Sequence, residues 1–480
     1  MRRTKIVATV GPASKDPAVL RRMVAAGMNM ARLSLAHGPV EDTLETIPVV
    51  RRAADDAGAF VGILADLPGP KIRTGPFVEE VHVIEDDRLE VVSVQEGAAT
   101  SDGHRIAVDH PELVEHLQPG DRVAMGDGGV NLVVEEVHPD RATVRVTTGG
   151  HLMGRPGVML PTARFPMESP TREDLELLQE VCRARVDAVA ISFVRSAADV
   201  ERVRAAAGPY GPMLVAKIET QEAVDALEEI IAVADGVMVA RGDLGIRCAL
   251  EDVPHYQKRI IQTGVAYGLP VITATQMLES MVRAPTPTRA EVSDVANAVL
   301  DGTSALMLSG ETAIGQDPAG AVATMSRIAT RAEREFDYLM WGRERGAQQV
   351  AENRGAPASR RITAAISAAA WRAATDAGAA AIIACTNSGN TARAISRFRP
   401  VVPLLGATPS PRTARQLAVA WGVTPVLIDR QGSTDDIVWF SIKAAVDAGV
   451  VKTDDLVAVL VGSQVGMEST TDVLRLIRIH

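Results

Sequence analysis

Short apolar runs alternate with longer stretches in which apolar residues recur every three to four positions. The runs are Lys5 to Val10, Asn29 to Leu35, Phe60 to Leu67, Ala188 to Val194, Leu214 to Glu219, Gly236 to Ala240, Pro270 to Thr275 and Ala305 to Ser309. Between them Pro17 to Ala26, Val40 to Ala57, Thr171 to Arg185, Ala197 to Ala207, Gln221 to Ala232, Val253 to Tyr267 and Ser293 to Leu300 carry helical periodicity. Strands alternating with helices in eight β/α units predict an α/β fold, a (β/α)8 TIM barrel.

The pattern breaks twice. From about Pro76 to Leu160 the chain carries Val-rich alternating runs, Leu89 to Val94, Arg122 to Met125, Asn131 to Val137 and Ala142 to Thr147, separated by glycine-rich turns. This predicts an inserted small β-barrel lid domain (76–160) in a discontinuous barrel (1–75 and 161–340). The polar segment 341–361, punctuated by Gly346, Gly355 and Pro357, is expected to be a linker. Beyond it, strands at Ala380 to Cys385, Val402 to Leu405, Val423 to Ile428 and Leu456 to Val461, and a further one at Leu474 to Ile479, predict a C-terminal α/β domain (362–480).

Barrels of this kind build their sites at the C-terminal ends of the strands, and polar chemistry collects there: Arg32 and Ser34; Asp66; Ser192 and Arg195; Lys217 and Glu219; Arg241 and Asp243; Thr275 and Gln276; Ser309 and Glu311. Residues two apart on a strand share a face, so Lys217 and Glu219 point the same way, and a strand continued through Asp243 would align Arg241 with Asp243. Two neighbouring carboxylates offer hard oxygens to Mg²⁺, while a lysine and an arginine beside them neutralise phosphate. The chemistry suggested is metal-assisted phosphoryl or enolate chemistry.

Composition narrows the partners. A formal net charge of −10 and 3% aromatic residues supply neither a basic groove nor stacking platforms, which argues against nucleic acid. No apolar run approaches a membrane span. Three scattered cysteines, Cys182, Cys248 and Cys385, fit a reducing, cytoplasmic setting, and the N-terminus enters its first strand too soon for a signal sequence.

Read as whole motifs, the chain resembles the pyruvate kinase family over essentially its full length. The resemblance rests on Thr4 to Ser14, the run around Lys217 and Glu219, Met238-Val239-Ala240-Arg241-Gly242-Asp243-Leu244-Gly245, Ala274-Thr275-Gln276-Met277-Leu278-Glu279-Ser280-Met281, Pro287 to Glu291, Ser293 to Gly302 and Met307-Leu308-Ser309-Gly310-Glu311-Thr312. It implies phosphoryl transfer from phosphoenolpyruvate to ADP, giving ATP and an enolate protonated to pyruvate, and a homotetrameric assembly. It assigns the divalent ion, Mg²⁺ or Mn²⁺, to Glu219 and Asp243, charge stabilisation to Lys217, and phosphate clamping to Arg32 and Arg73. The backbone of Ala240, Arg241, Gly242 and Asp243, with Thr275, would cradle the substrate carboxylate, and Thr275 or Ser309 would assist protonation through water.

The monovalent-cation region departs from the K⁺-dependent pattern. Ser34 stands at an asparagine position and Ala36 at a serine position; Asp66 and Leu67 are followed by Lys71 where the K⁺-dependent members have glutamate. The expectation is that the Lys71 ammonium replaces K⁺, so that K⁺ is not required. In the C-terminal domain, Thr386, Asn387, Ser388, Gly389, Asn390 and Thr391 resemble the family's loop for a phosphorylated effector, although these residue types also serve as helix caps. A later loop, Gly466-Met467-Glu468-Ser469-Thr470, carries an acid that would repel an anion. Two other readings compete: an effector-binding paralogue without turnover, and a Mg²⁺-dependent aldolase or lyase on the same barrel.

Overall fold

The computed structural model describes residues 2–36, 38–70, 72–95, 97–126, 129–159, 168–352, 358–462 and 470–480. Eight parallel strands, Lys5–Thr9, Met30–Ser34, Gly62–Asp66, Ala188–Ile191, Met213–Ile218, Gly236–Ala240, Val271–Ala274 and Ala305–Leu308, close into a barrel in which the first pairs with both the second and the eighth. All eight coincide with the predicted runs, most of them trimmed at the ends where the hydrogen-bond ladder stops.

Strand alternation sorts side chains into two cores. Val7, Met30, Leu64, Ala190, Val215, Met238 and Met307 fill the barrel interior. Their neighbours Ile6, Ala31, Ile63, Val189, Leu214, Val237 and Leu306 face outward against the helices.

Strands from the insertion form a seven-stranded sheet with an additional two-stranded ribbon. Ile72, Leu89, Ile106, Val123, Leu132 and Val144 share its apolar core. A bridge between Thr74 and Val108 joins the two edge strands and closes the sheet into a small barrel. The C-terminal sheet has four parallel strands, Val423–Leu427, Leu404–Thr408, Ala381–Cys385 and Leu456–Val461, and an antiparallel edge, Val473–Arg478.

The structure corrects one expectation and adds detail to another. The segment 341–361 is largely helical, with Tyr338–Glu352 and Ala358–Asp376 running into it from either side. Gly342 lies in the first of these helices, where a Cβ would come within 2.2 Å of the Trp371 ring, so this glycine permits close packing. The strand at Gly236 also stops at Ala240, and Arg241–Arg247 is a helix.

At the N-terminal end of the barrel, the C-terminal sheet's connections seal the floor. Asp187, fully buried, takes Arg51 at 2.7 Å, Arg415 at 2.9 Å and the Ile63 amide at 2.9 Å. Arg399, 1% exposed, donates to Gly302 O at 2.6 Å and Ser396 O at 3.1 Å while stacking over Trp421. Arg397 donates to Ala266 O at 3.3 Å. These guanidiniums meet carbonyls at the ends of three helices, where unpaired acceptors and the negative dipole end collect.

Candidate active site

The inward-facing series of each strand continues past the apolar core, two residues at a time, into polar side chains at the C-terminal end. Val7 leads to Thr9, Met30 to Arg32, Leu64 to Asp66, Ala190 to Ser192, Val215 to Lys217 and then Glu219, and Met307 to Ser309. The pleat that packs the barrel thereby also converges its charges.

Arg32 Nε lies 2.6 Å from Asp66 Oδ2, and its Nη1 donates to Thr9 Oγ1 at 3.1 Å. The Lys217 ammonium sits 3.3 Å from Asp66 Oδ1, 2.9 Å from Glu219 Oε1 and 2.6 Å from Ser192 Oγ. Ser192 Oγ also donates to Leu67 O at 2.7 Å. Burial opposes the Lys217 charge, but Asp66, Glu219 and Asp243 outweigh it and hold the pKa well above the ordinary lysine value. The surrounding carboxylates therefore favour the charged form of Lys217.

Glu219 is fully buried and accepts from the Phe193 amide at 2.6 Å. Burial raises its pKa and Asp243 adds to the rise, with Lys217 opposing. Two carboxylates that disfavour each other's charge are relieved by a cation. Among the described residues no group of three or more His, Cys, Asp or Glu side chains gathers for a metal, but two carboxylates suit Mg²⁺, which keeps water and substrate oxygens among its ligands. The donor set fits.

Arg241 does not join Lys217 at the mouth of the barrel. Its guanidinium pairs with Asp294 at 2.6 Å and donates to Thr275 O at 2.6 Å and Gln276 O at 3.1 Å. It fastens a strained loop, because Thr275 and Gln276 have φ of +67° and +52°, a region costly for a β-branched residue. The strain turns Thr275 Oγ1 toward the Gly242 amide, which donates to it at 2.8 Å. Gly242 is not itself forced by the turn, since a Cβ there would meet Thr275 Oγ1 at an ordinary 3.4 Å.

Glu311, 1% exposed, accepts from the Leu278 and Ser309 amides at 2.9 and 2.7 Å, positioning both loops. Ser309 Oγ is buried with no hydrogen-bond partner among the described residues. Arg73 stands apart from Lys217's cluster, donating to Ala36 O and to Arg155 O of the insertion, both at 3.2 Å. Ser34 is half-buried on its strand, and Lys71 lies outside the described residues.

In the C-terminal loop, Thr386 Oγ1 accepts from Gly389 N at 2.8 Å, Asn387 O accepts from Thr413 at 2.7 Å, and Asn390 Oδ1 accepts from Arg393 at 2.6 Å. Gly389, with φ of +86°, precedes the helix Asn390–Ser396, which has no side-chain cap. The loop Gly466 to Ser469 lies outside the described residues.

The sequence reading placed Ser192 and Glu311 at strand ends without assigning them a role, and it did not single out Phe193 or Arg247. Ser192 was traceable through its parity with Ala188 and Ala190. Arg247 becomes traceable once Arg241–Arg247 is known to be helical, four residues from Asp243.

Among the described residues no helix is long and apolar enough to cross a membrane. The pyruvate kinase barrel-domain family matches residues 1–322, and the pyruvate kinase alpha/beta-domain family matches 364–477. A pyruvate kinase of Clostridium acetobutylicum is 37% identical over 99% of both chains. One of Methylorubrum extorquens is 39% identical over 99% of this chain and 97% of its own, and one of Corynebacterium efficiens is 40% identical over 98% and 97%. With both families matched in order, and with lysine, carboxylates and strained threonine loop at the mouth of one closed barrel, the chain belongs to the pyruvate kinase family.

Proposed function

We propose that the chain transfers the phosphoryl group of phosphoenolpyruvate to ADP at the cluster around Lys217. The bond from phosphorus to the enol oxygen breaks, a bond to the terminal oxygen of ADP forms, and the enolate carbon takes a proton to give pyruvate. The observation that carries this reading is the buried Lys217 ammonium, held by Asp66, Glu219 and Ser192. A fixed ammonium in a buried setting stabilises charge on the transferring group and on the enolate without reorganisation.

Glu219 and Asp243 would hold Mg²⁺ or Mn²⁺, which supplies Lewis-acid polarisation of substrate oxygens. Arg32, held by Asp66, clamps phosphate, and Arg73 does so from the seam with the insertion. The substrate carboxylate takes the place of Thr275 Oγ1 on the Gly242 amide. Ser309 Oγ, without a partner among the described residues, and Thr275 hold the water that protonates the enolate. Domain 76–160 acts as a lid that excludes water. In this reading Lys71 does the work of K⁺ beside Ser34, Asp66 and Leu67, the loop Thr386–Thr391 takes the phosphate of an effector, and the enzyme is a cytoplasmic homotetramer.

The test is steady-state pyruvate formation from phosphoenolpyruvate and ADP with Mg²⁺, in Tris free of K⁺ and NH₄⁺. Turnover there supports both the transfer and the tethered cation. Turnover only after K⁺ is added sinks the Lys71 assignment, and none in either buffer sinks the function.

A further inference from the structure

The helix Arg241–Arg247 carries a second cation that the reaction above does not use. Asp243 and Arg247 are four residues apart, which places both side chains on one face of the helix. The Arg247 guanidinium lies over the Phe193 ring, 4.7 Å from its centroid, and the amide of that same Phe193 donates to Glu219 Oε2. Two separate attachments therefore set Arg247 beside both metal-binding carboxylates.

Its Nε and Nη1 are buried, and among the described residues neither has a hydrogen-bond partner. Burial draws its pKa below the ordinary value, and Asp243, Glu219 and Glu222 act in the opposite sense; a guanidinium stays charged throughout. Glu219 already takes Lys217 and the Phe193 amide. Buried charged donors without acceptors are costly, and the cost persists at a functional site when a ligand supplies the missing oxygens. Next to two carboxylates and a lysine, that ligand is a phosphate.

We propose that Arg247 is a substrate-binding residue that donates through Nε and Nη1 to a phosphate oxygen, and that its charge keeps the affinity of the free Glu219–Asp243 pair for divalent cations low. It rests on the reading of that pair as the metal site. The phosphate can come from phosphoenolpyruvate or from ADP, and the two are separated by titrating each.

The experiment uses the full chain, with Mn²⁺ binding followed by electron paramagnetic resonance and each phosphate ligand titrated calorimetrically at saturating Mn²⁺. In Arg247→Met, Mn²⁺ alone should bind about tenfold tighter, because a repelling charge is gone. Phosphoenolpyruvate or ADP should bind about tenfold more weakly, and Arg247→Lys should restore parental Mn²⁺ affinity but only part of the phosphate affinity. Opposite signs separate this role from a structural one, since a loosened site weakens both ligands. Unchanged affinity for both phosphate ligands, or weaker Mn²⁺ binding, in a variant that melts like the parent overturns the proposal. Arg247→Gln carries the same expectation should the methionine variant not fold. Glu219→Gln separates the two failures: parental Mn²⁺ binding there removes the metal reading, whereas loss there with parental behaviour in Arg247→Met removes the arginine's role alone.

Discussion

The two ends of the barrel use the same side chains for opposite purposes. At the N-terminal floor, Asp187 is saturated by Arg51, Arg415 and the Ile63 amide, and Arg399 meets two backbone carbonyls through its terminal nitrogens, leaving only its Nε without a partner among the described residues. Glu333 likewise accepts the amides of Arg3 and Thr4. At the C-terminal mouth the charges are crowded and incompletely satisfied. Lys217 is shared by two acids, Ser309 Oγ and two nitrogens of Arg247 are without partners among the described residues, and Phe193, Thr275 and Gln276 have positive φ. A saturated network contributes stability and specificity, whereas an unsaturated one gives up stability to keep its groups available to a ligand.

Substitutions at the two ends should accordingly separate activity from stability. Lys217→Met should lower kcat about 10³-fold, read by pyruvate formation, while its melting temperature moves less than that of Asp187→Ala. Asp187→Ala leaves Arg51, Arg415 and the Ile63 amide unpaired and should cost about 3–5 kcal/mol, read by denaturant unfolding, with kcat of the folded fraction near the parental value. If Lys217→Met unfolds as readily as Asp187→Ala, the contrast fails.

Acid sharpens it further. The folded state holds a proton on Glu219 at a pH where the unfolded chain has lost it, so stability of the metal-free protein falls as pH rises from the ordinary carboxylate pKa through the raised one. If Glu219 holds the metal as proposed, bound Mn²⁺ displaces that proton, and the rise in melting temperature on adding Mn²⁺ should be larger at pH 8 than at pH 5. Equal rises would show that Glu219 is not the titrating partner of the metal.

The smallest effect belongs to Lys5, whose ammonium donates to Val423 O at 2.7 Å. Burial, assisted by Arg2 and opposed by Glu333, lowers its pKa to about 7. Between that pH and the ordinary lysine value the unfolded chain binds the extra proton, so stability from this residue rises with pH and is lost as pH falls through about 7. Lys5→Met should therefore be more favourable at pH 6 than at pH 9, where it forfeits a hydrogen bond of about 1 kcal/mol. Identical melting shifts at the two values would assign the lysine no part in the pH response.

The eight strands were legible because each is a compact apolar run closed by polar residues, and the pleat then fixed which polar residues share the mouth. Lys217 and Glu219, two apart, needed nothing more. Arg241 was misread because Val239-Ala240-Arg241 contains no break. The strand ends with the last pairing, Ala240 with Ala274, and the guanidinium is claimed by Asp294, far along the chain. The helices that run into segment 341–361 were not legible in its polar pattern, and Gly342 there packs on Trp371 of another helix. In each case the deciding partner is distant in sequence, and so invisible to local pattern. Arg247 follows the same rule, since its place depends on Phe193 from another strand end.

Cutting the chain between the helices Tyr338–Glu352 and Ala358–Asp376 would not release an autonomous barrel. Asp187 would lose Arg415, Lys5 would lose the Val423 carbonyl, and the helix ends at Gly302 and Ala266 would lose Arg399 and Arg397. Modularity in this chain thus stops short of its visible architecture: a chimera joining this barrel to the C-terminal domain of a relative would fold only if those floor contacts travelled with the graft.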